Sequence, residues 1–273
     1  MDDITQKLGE NAVRMDVDKI VQGYGGCPVI ENISFSAESG ELVSIVGPNG
    51  CGKSTLIKTL CGVMKPVSGT VTLDDRDITK YDRKELAKTV SYVPQNFVYA
   101  GFSSVYDTVI MGRRPYMEWS YSNEDIDMAV KAIVTMKLED HVSRYVNELS
   151  GGQMQRVIIA RSLAQDPEFY IFDEPTSAFD LRNQLDTMRI MRDIIKKKNA
   201  CLVVALHDLN LALNYSDKVL VIKDGKKYDF GPKNEVITEK MIKDVYNVSA
   251  EIVNRPRGSF VHSFDDGEGL MDL

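Results

Sequence analysis

The sequence predicts an α/β fold with parallel strands at its centre, and three observations carry that expectation. A strand-length apolar segment, Glu41 to Val46, runs into a glycine loop and then into a helical run from Lys53 to about Cys61. After residue 165, strands and helices alternate as Phe169 to Phe172, Leu181 to Lys198 and Cys201 to Leu206, the order that lays parallel strands side by side in one sheet. Between these parts the chain carries helical periodicity, over Ser104 to Met111, Asn123 to Met136 and Gly151 to Ala164.

The remaining elements follow in order. β-branched segments Val13 to Val21 and Val29 to Ala37 precede the glycine loop, with turn signals at Gly25-Gly26 and Ser39-Gly40. Further strands are expected at Thr70 to Leu73 and Val90 to Val93. The helical middle then reads as an insertion, which gives a core of residues 1–96 and 165–250 and an arm of residues 97–164. Residues 251–273 are expected to add a strand, Ala250 to Val253, and then an acidic tail.

Composition narrows the classes. The chain has 273 residues, 43% apolar and 27% charged, enough for a sizeable core. With 33 basic and 40 acidic residues its net charge is -7, which disfavours a nucleic-acid binder, because phosphate neutralisation needs clustered Lys and Arg. Acid at the ends, Asp2, Asp3, Asp265, Asp266, Glu268 and Asp272, marks solvated termini. No run approaches the roughly 18 to 20 apolar residues that span a bilayer, and the start lacks the basic and apolar regions of a signal peptide. Cys27, Cys51, Cys61 and Cys201 show no CxxC spacing and suit a reducing compartment. His141 and His262 match no motif and read as surface residues.

The glycine loop carries the first chemistry. Gly47-Pro48-Asn49-Gly50-Cys51-Gly52-Lys53-Ser54 fits G-x-x-x-x-G-K-[ST] between a strand and a helix, with Thr55 next. Glycines let backbone N–H groups face phosphates, and the helix start adds its positive dipole end. Lys53 supplies a point charge for the β- and γ-phosphates, and Ser54 a hydroxyl for Mg²⁺. The loop implies a nucleotide triphosphate but no particular function.

Two further segments complete the chemistry. The strand Phe169 to Phe172 ends in Asp173 and Glu174. Asp173 is placed to hold Mg²⁺ through its water shell, and Glu174 to orient or deprotonate an attacking water. Leu149-Ser150-Gly151-Gly152-Gln153 stands before a helical run, with Ser150 a good N-cap. It is a second anion-binding helix start.

These residues together resemble the ATP-binding cassette (ABC) ATPase family over about residues 13 to 250. Gln95 matches the Q-loop glutamine, Ser177-Ala178-Phe179-Asp180 the D-loop, and His207 the switch histidine. Tyr24 matches the aromatic that stacks on adenine. The resemblance implies a P-loop NTPase core with an N-terminal antiparallel β subdomain and an inserted α-helical subdomain. It implies ATP hydrolysis with Mg²⁺, with Glu174, His207, Gln95 and Lys53 as catalytic groups and Ser54, Gln95 and Asp173 at the metal. It also implies a head-to-tail homodimer. Each ATP lies between the phosphate loop of one copy and Ser150 to Gln153 of the other, with Asp180 at the contact.

Finer motifs resemble the importer branch for iron–siderophore complexes, haem and cobalamin. They are Met111-Gly112-Arg113-Arg114-Pro115-Tyr116, Asn183-Gln184-Leu185 and Leu206-His207-Asp208-Leu209-Asn210. The chain departs from the family at Asp75, where a turn glycine is common, and at Phe179, where leucine is usual. That branch implies a peripheral subunit on the cytoplasmic face of the membrane. It works with a multi-span permease and a solute-binding protein, and not with nucleic acid. The dock is expected between core and arm, along Phe97 to Arg114, with Phe97, Tyr99, Phe102, Tyr106 and Trp119 giving it aromatic character. A soluble ABC ATPase with a mechanical or assembly role is the alternative.

Overall fold

The computed structural model describes residues 12–95, 97, 102–256 and 258–264; the acidic ends and Tyr99 lie outside them. The strands are β1 (Arg14–Tyr24), β2 (Cys27–Glu38), β3 (Leu42–Val46), β4 (Ser68–Leu73), β5 (Arg76–Asp77), β6 (Val90–Val93), β7 (Phe169–Asp173), β8 (Cys201–Ala205), β9 (Lys218–Lys223), β10 (Lys226–Pro232), β11 (Ser249–Arg255) and β12 (Gly258–Phe264). The helices, numbered α1 to α9 in chain order, are Lys53–Leu60, Arg83–Thr89, Val105–Ile110, Asn123–Thr135, Gly151–Gln165, Leu181–Lys198, Leu209–Tyr215, Lys233–Val236 and Glu239–Tyr246.

Side-chain parity explains the layers. Every residue of β3, β7 and β8 is buried, as in parallel strands covered on both faces. Val43, Ile45, Ile171 and Val203 pack with Leu56, Ile57 and Leu60 of α1. Their neighbours Leu42, Val46, Tyr170, Phe172, Leu202 and Val204 face the other way, into the core that holds Val157 of α5 and Met188 and Met191 of α6. One residue of slip would exchange the two sets.

Parallel strands run in the order β6-β7-β8-β3-β9, and β10 returns antiparallel to β9. Strands β1, β2, β4 and β5 form an antiparallel extension, joined to β10 through a parallel bridge between Lys226 and Glu31. The expected turn at Gly25-Gly26 joins β1 to β2, with Tyr24 opposite Cys27. At the β4–β5 turn, Asp74 and Asp75 both take positive φ, 48° and 63°, the conformation that usually selects glycine at the second position.

The arm helices start on side-chain caps. Ser104, Ser122 and Ser150 each form a capping box, with Asp107, Asp125 and Gln153. Arg113 ties the arm together. Its Nε donates to Asp125 at 2.8 Å and its Nη1 to the Ala164 and Gln165 carbonyls that end α5, while Tyr116 stacks on it at 3.9 Å. Several elements carried no clear signal in the sequence: α2, α7 to α9, β9 and β10. The C-terminal segment forms the hairpin β11–β12 where one strand was expected. The hairpin rests on α7 through Asn210 and Asn214.

Candidate functional site

Three parallel strands end on one side of the sheet, and each end delivers a polar group. Gln95 follows β6, Glu174 follows β7, and His207 follows β8 by two residues. The glycine loop follows β3, the adjacent strand of the same sheet. Crevices at the carboxyl ends of parallel strands are where such folds bind ligands. Here a cavity of about 390 Å³ is lined by Asn49, Gly50, Gly52, Lys53, Ser54 and Thr55 of the loop, by Gln95, Glu174 and His207, and by Val29 of β2.

The loop is set by its backbone. Gly52 takes φ 104° and is the N-cap of α1 without any side-chain cap bond, so the first N–H groups of the helix are left for a ligand. A Cβ at Gly52 would collide with Ile30. Lys53 is only 5% exposed, yet its ammonium is satisfied, donating to the Gly47 and Pro48 carbonyls at 2.8 and 3.1 Å. Those two residues and Cys51 are not among the residues that line the cavity; burial pushes the Cys51 thiol up.

Ser54 Oγ donates to Asp173 Oδ1 at 3.1 Å. Burial pushes the Asp173 carboxyl above its usual range; the Ser54 bond opposes this, and the neighbouring Glu174 charge adds to it. A hydroxyl and a carboxylate this close, with the Gln95 amide on the same cavity, are hard oxygen donors that fit Mg²⁺. Mg²⁺ commonly takes one or two protein oxygens and completes its shell with phosphate and water.

Glu174 is buried and held from both sides. Gln95 Nε2 donates to its Oε2 at 2.5 Å, and His207 Nε2 lies 2.5 Å from its Oε1. Its backbone sits at φ 51°, a left-handed conformation that costs a non-glycine residue of order 1 kcal/mol or more and gathers at functional sites. The Glu174 N–H donates to Ala205, and Ser177 donates through its N–H and Oγ to the Glu174 carbonyl, which holds that geometry.

The other expected residues stand apart from this cavity. Tyr24, at the end of β1, is 55% exposed with its hydroxyl 3.5 Å from Met64 Sδ. Ser150, Gly151, Gly152 and Gln153 open α5 on the arm. Asp180 caps α6, accepting from the Asn183 N–H at 2.8 Å. The Phe179 ring packs on Gly152, where an added Cβ would sit 3.3 Å from it. Arg156 of α5 donates to Asn183, which also donates to Asp180, so the two segments are braced against each other. Of the expected docking aromatics, Phe97 and Tyr106 pack on the core. Phe102 and Trp119 are 82% and 97% exposed.

Sequence reasoning missed two contributors. Val29 is an ordinary strand aliphatic, and nothing in its spacing marks it. His141, read as a surface residue, is half-buried, with Nε2 2.9 Å from Gln153 Nε2; the partner emerges only from the turn that brings them together. His262 is exposed, as expected, beside Glu251.

Comparisons with known proteins show what the chain is similar to. A family model described as ABC transporter matches residues 30–177. An uncharacterised ABC transporter ATP-binding protein of Methanocaldococcus jannaschii is 46% identical over 88% of this chain and 94% of its own. A Bacillus subtilis protein named as a siderophore transport system ATP-binding protein is 37% identical over 91% of this chain and 90% of its own. The fold also matches a structure described as an inward-facing, metal-chelate type ABC transporter, with TM-score 0.80 and 25% identity over 93% of this chain and 99% of that one.

Proposed function

The chain belongs to the ABC transporter family as an ATP-binding, ATP-hydrolysing subunit, and from that premise we propose that it powers import of a metal-chelate-type solute through a separate membrane permease. The observation that carries the ATPase half is the Glu174 carboxylate, held by Gln95 and His207 at the wall of a cavity built on the phosphate loop. The solute class, an iron–siderophore complex, haem or cobalamin, rests on the named relative and the metal-chelate structure.

The residues divide the work. The N–H groups at the start of α1 and the Lys53 ammonium receive the phosphates. Lys53 exchanges two neutral carbonyls for charged oxygens, and a charge-assisted bond is worth about 1.5–3 kcal/mol. Ser54, Asp173 and Gln95 would hold Mg²⁺, which when bound supplies positive charge to the phosphate oxygens. Glu174 orients the attacking water and accepts its proton, and His207 meets the γ-phosphate. Tyr24 offers an open ring for adenine.

Ser150 to Gln153 lie outside the cavity, so a second copy completes the site. A head-to-tail homodimer brings the Ser150 helix start of each chain to the phosphate loop of the other, with Asp180 at the contact, and closes two sites at once. ATP holds the pair together and hydrolysis releases it. No helix among the described residues is long and apolar enough to cross a membrane, which suits a subunit peripheral to the cytoplasmic face. The exposed Phe102, edge-to-face with Tyr145 at 6.0 Å, supports a permease dock on this side of the arm. A solute-binding protein completes the system. The named relatives give no support to a soluble mechanical role.

The test is uptake of labelled ferric siderophore, haem and cobalamin by cells with and without the gene. Loss of one uptake, restored by the wild-type chain and not by Glu174→Gln, is expected. Unchanged uptake of all three would overturn the assignment.

A further inference from the structure

The start of α5 is built by more than its own four residues. Gln153 closes the capping box with its Oε1, which accepts from the Ser150 N–H at 3.0 Å, while its own N–H donates to Ser150 Oγ at 3.3 Å. A backbone N–H can only donate, so the amide oxygen of Gln153 must face Ser150. Its NH₂ group must then face His141 Nε2 at 2.9 Å. A donor there requires an acceptor, so His141 is neutral at Nε2 and carries its proton on Nδ1. Among the described residues that Nδ1 is buried without a partner.

The His141 backbone is fixed independently of α5. Its N–H donates to the Leu138 carbonyl and its carbonyl accepts from Arg144, both at 2.9 Å. The next residues pair with the start of α3, through Val105 N–H to Arg144 and Tyr106 N–H to Val142. The imidazole is therefore an anchored acceptor that sets which way the Gln153 amide points.

We infer that His141 is a positioning residue for ATP hydrolysis, acting through Gln153 to hold Ser150 and the start of α5 in the geometry that the second copy's nucleotide meets. The inference rests on the reading of Ser150 to Gln153 as the second half of the site. His141 does not line the phosphate-loop cavity, so its loss should leave binding to the phosphate loop intact and lower turnover. An interaction realised only in the closed state appears in kcat.

The test compares His141→Phe, which keeps a ring but removes the acceptor, with His141→Gln, whose Oε1 can replace Nε2. Turnover and the monomer's affinity for Mg-ATP are measured on the purified full chain. His141→Phe should lower kcat at least fivefold with affinity within twofold of wild type, and His141→Gln should restore kcat to within twofold. Equal impairment of both variants would reduce the residue to a packing role and overturn the inference. So would a His141→Phe enzyme with wild-type turnover beside an inactive Ser150→Arg. Wild-type turnover in Ser150→Arg as well would remove the underlying reading of α5. Should His141→Phe fail to fold, ¹⁵N spectra of the wild-type imidazole decide: an unprotonated Nε2 at neutral pH is expected, and a proton on Nε2 would overturn the inference.

Discussion

His207 Nε2 stands 2.5 Å from Oε1 of Glu174, while Gln95 holds the other oxygen of the same carboxylate. Three residues from the ends of three neighbouring strands thus meet on one group. Both oxygens accept, which suits a carboxylate and not an amide. Glu174→Gln puts an NH₂ against Gln95 or His207 and removes the proton acceptor. Nucleotide binding should survive, and steady-state phosphate release should fall by about 10²–10⁴-fold, the range for a lost general base. Release within tenfold of wild type would remove Glu174 from the reaction.

Arg113 and Asp125 form a buried ion pair in the arm, at 2.8 Å and nearly out of solvent. Burial alone would raise the Asp125 carboxyl, but the Ser122 and Arg113 bonds outweigh it and hold the carboxyl below its usual range. A carboxyl depressed in the folded state stabilises the protein above its unfolded value, near pH 4, and loses that contribution as pH falls through the folded value. Asp125→Asn should cost about 3–5 kcal/mol at neutral pH, because it leaves a buried guanidinium without its counter-charge. Urea titrations from pH 7 to pH 3 should show part of the acid loss in the wild type gone from Asp125→Asn. Identical pH slopes would contradict the pairing.

Asp75 holds φ 63° in the β4–β5 turn, next to Asp74 at φ 48°. Asp74 is needed, since it accepts from the Arg14 N–H at 2.6 Å, but among the described residues the Asp75 side chain makes no hydrogen bond. Asp75→Gly makes the Asp-Gly pair that such turns favour. It should stabilise the chain by about 0.5–1 kcal/mol by relieving left-handed strain, less the extra freedom glycine has when unfolded. A rise of a few degrees in Tm is the expected readout, and a fall would show that the turn gains from the aspartate.

What was legible in the sequence follows from how local each signal is. The phosphate loop, the Asp173-Glu174 strand end and the Ser150 cap are each set by residues within a few positions. Strand parity showed in runs such as Cys201 to Leu206, all buried in the structure. Helix α2 was missed because none of its residues is buried, so it carries no apolar stripe. The Arg113–Asp125 pair and the His141–Gln153 contact depend on turns that bring distant residues together, and no spacing rule links them. Asp180 and Gln153 were legible as motif residues, but their bonds to Asn183 and His141 were not. The exposed Phe102 and Trp119 and the packed Phe97 and Tyr106 looked alike in the sequence, since an aromatic residue alone does not say which side of an arm it faces.

The central claim is that the cavity of one chain is closed by α5 of another. Sedimentation of Glu174→Gln with and without Mg-ATP tests it most directly, since that variant retains the nucleotide. The account expects a monomer without ATP and a dimer with it, and a monomer under both conditions once Ser150→Arg is added. A Glu174→Gln chain that binds ATP fully and remains monomeric, or a dimer indifferent to Ser150→Arg, would contradict it.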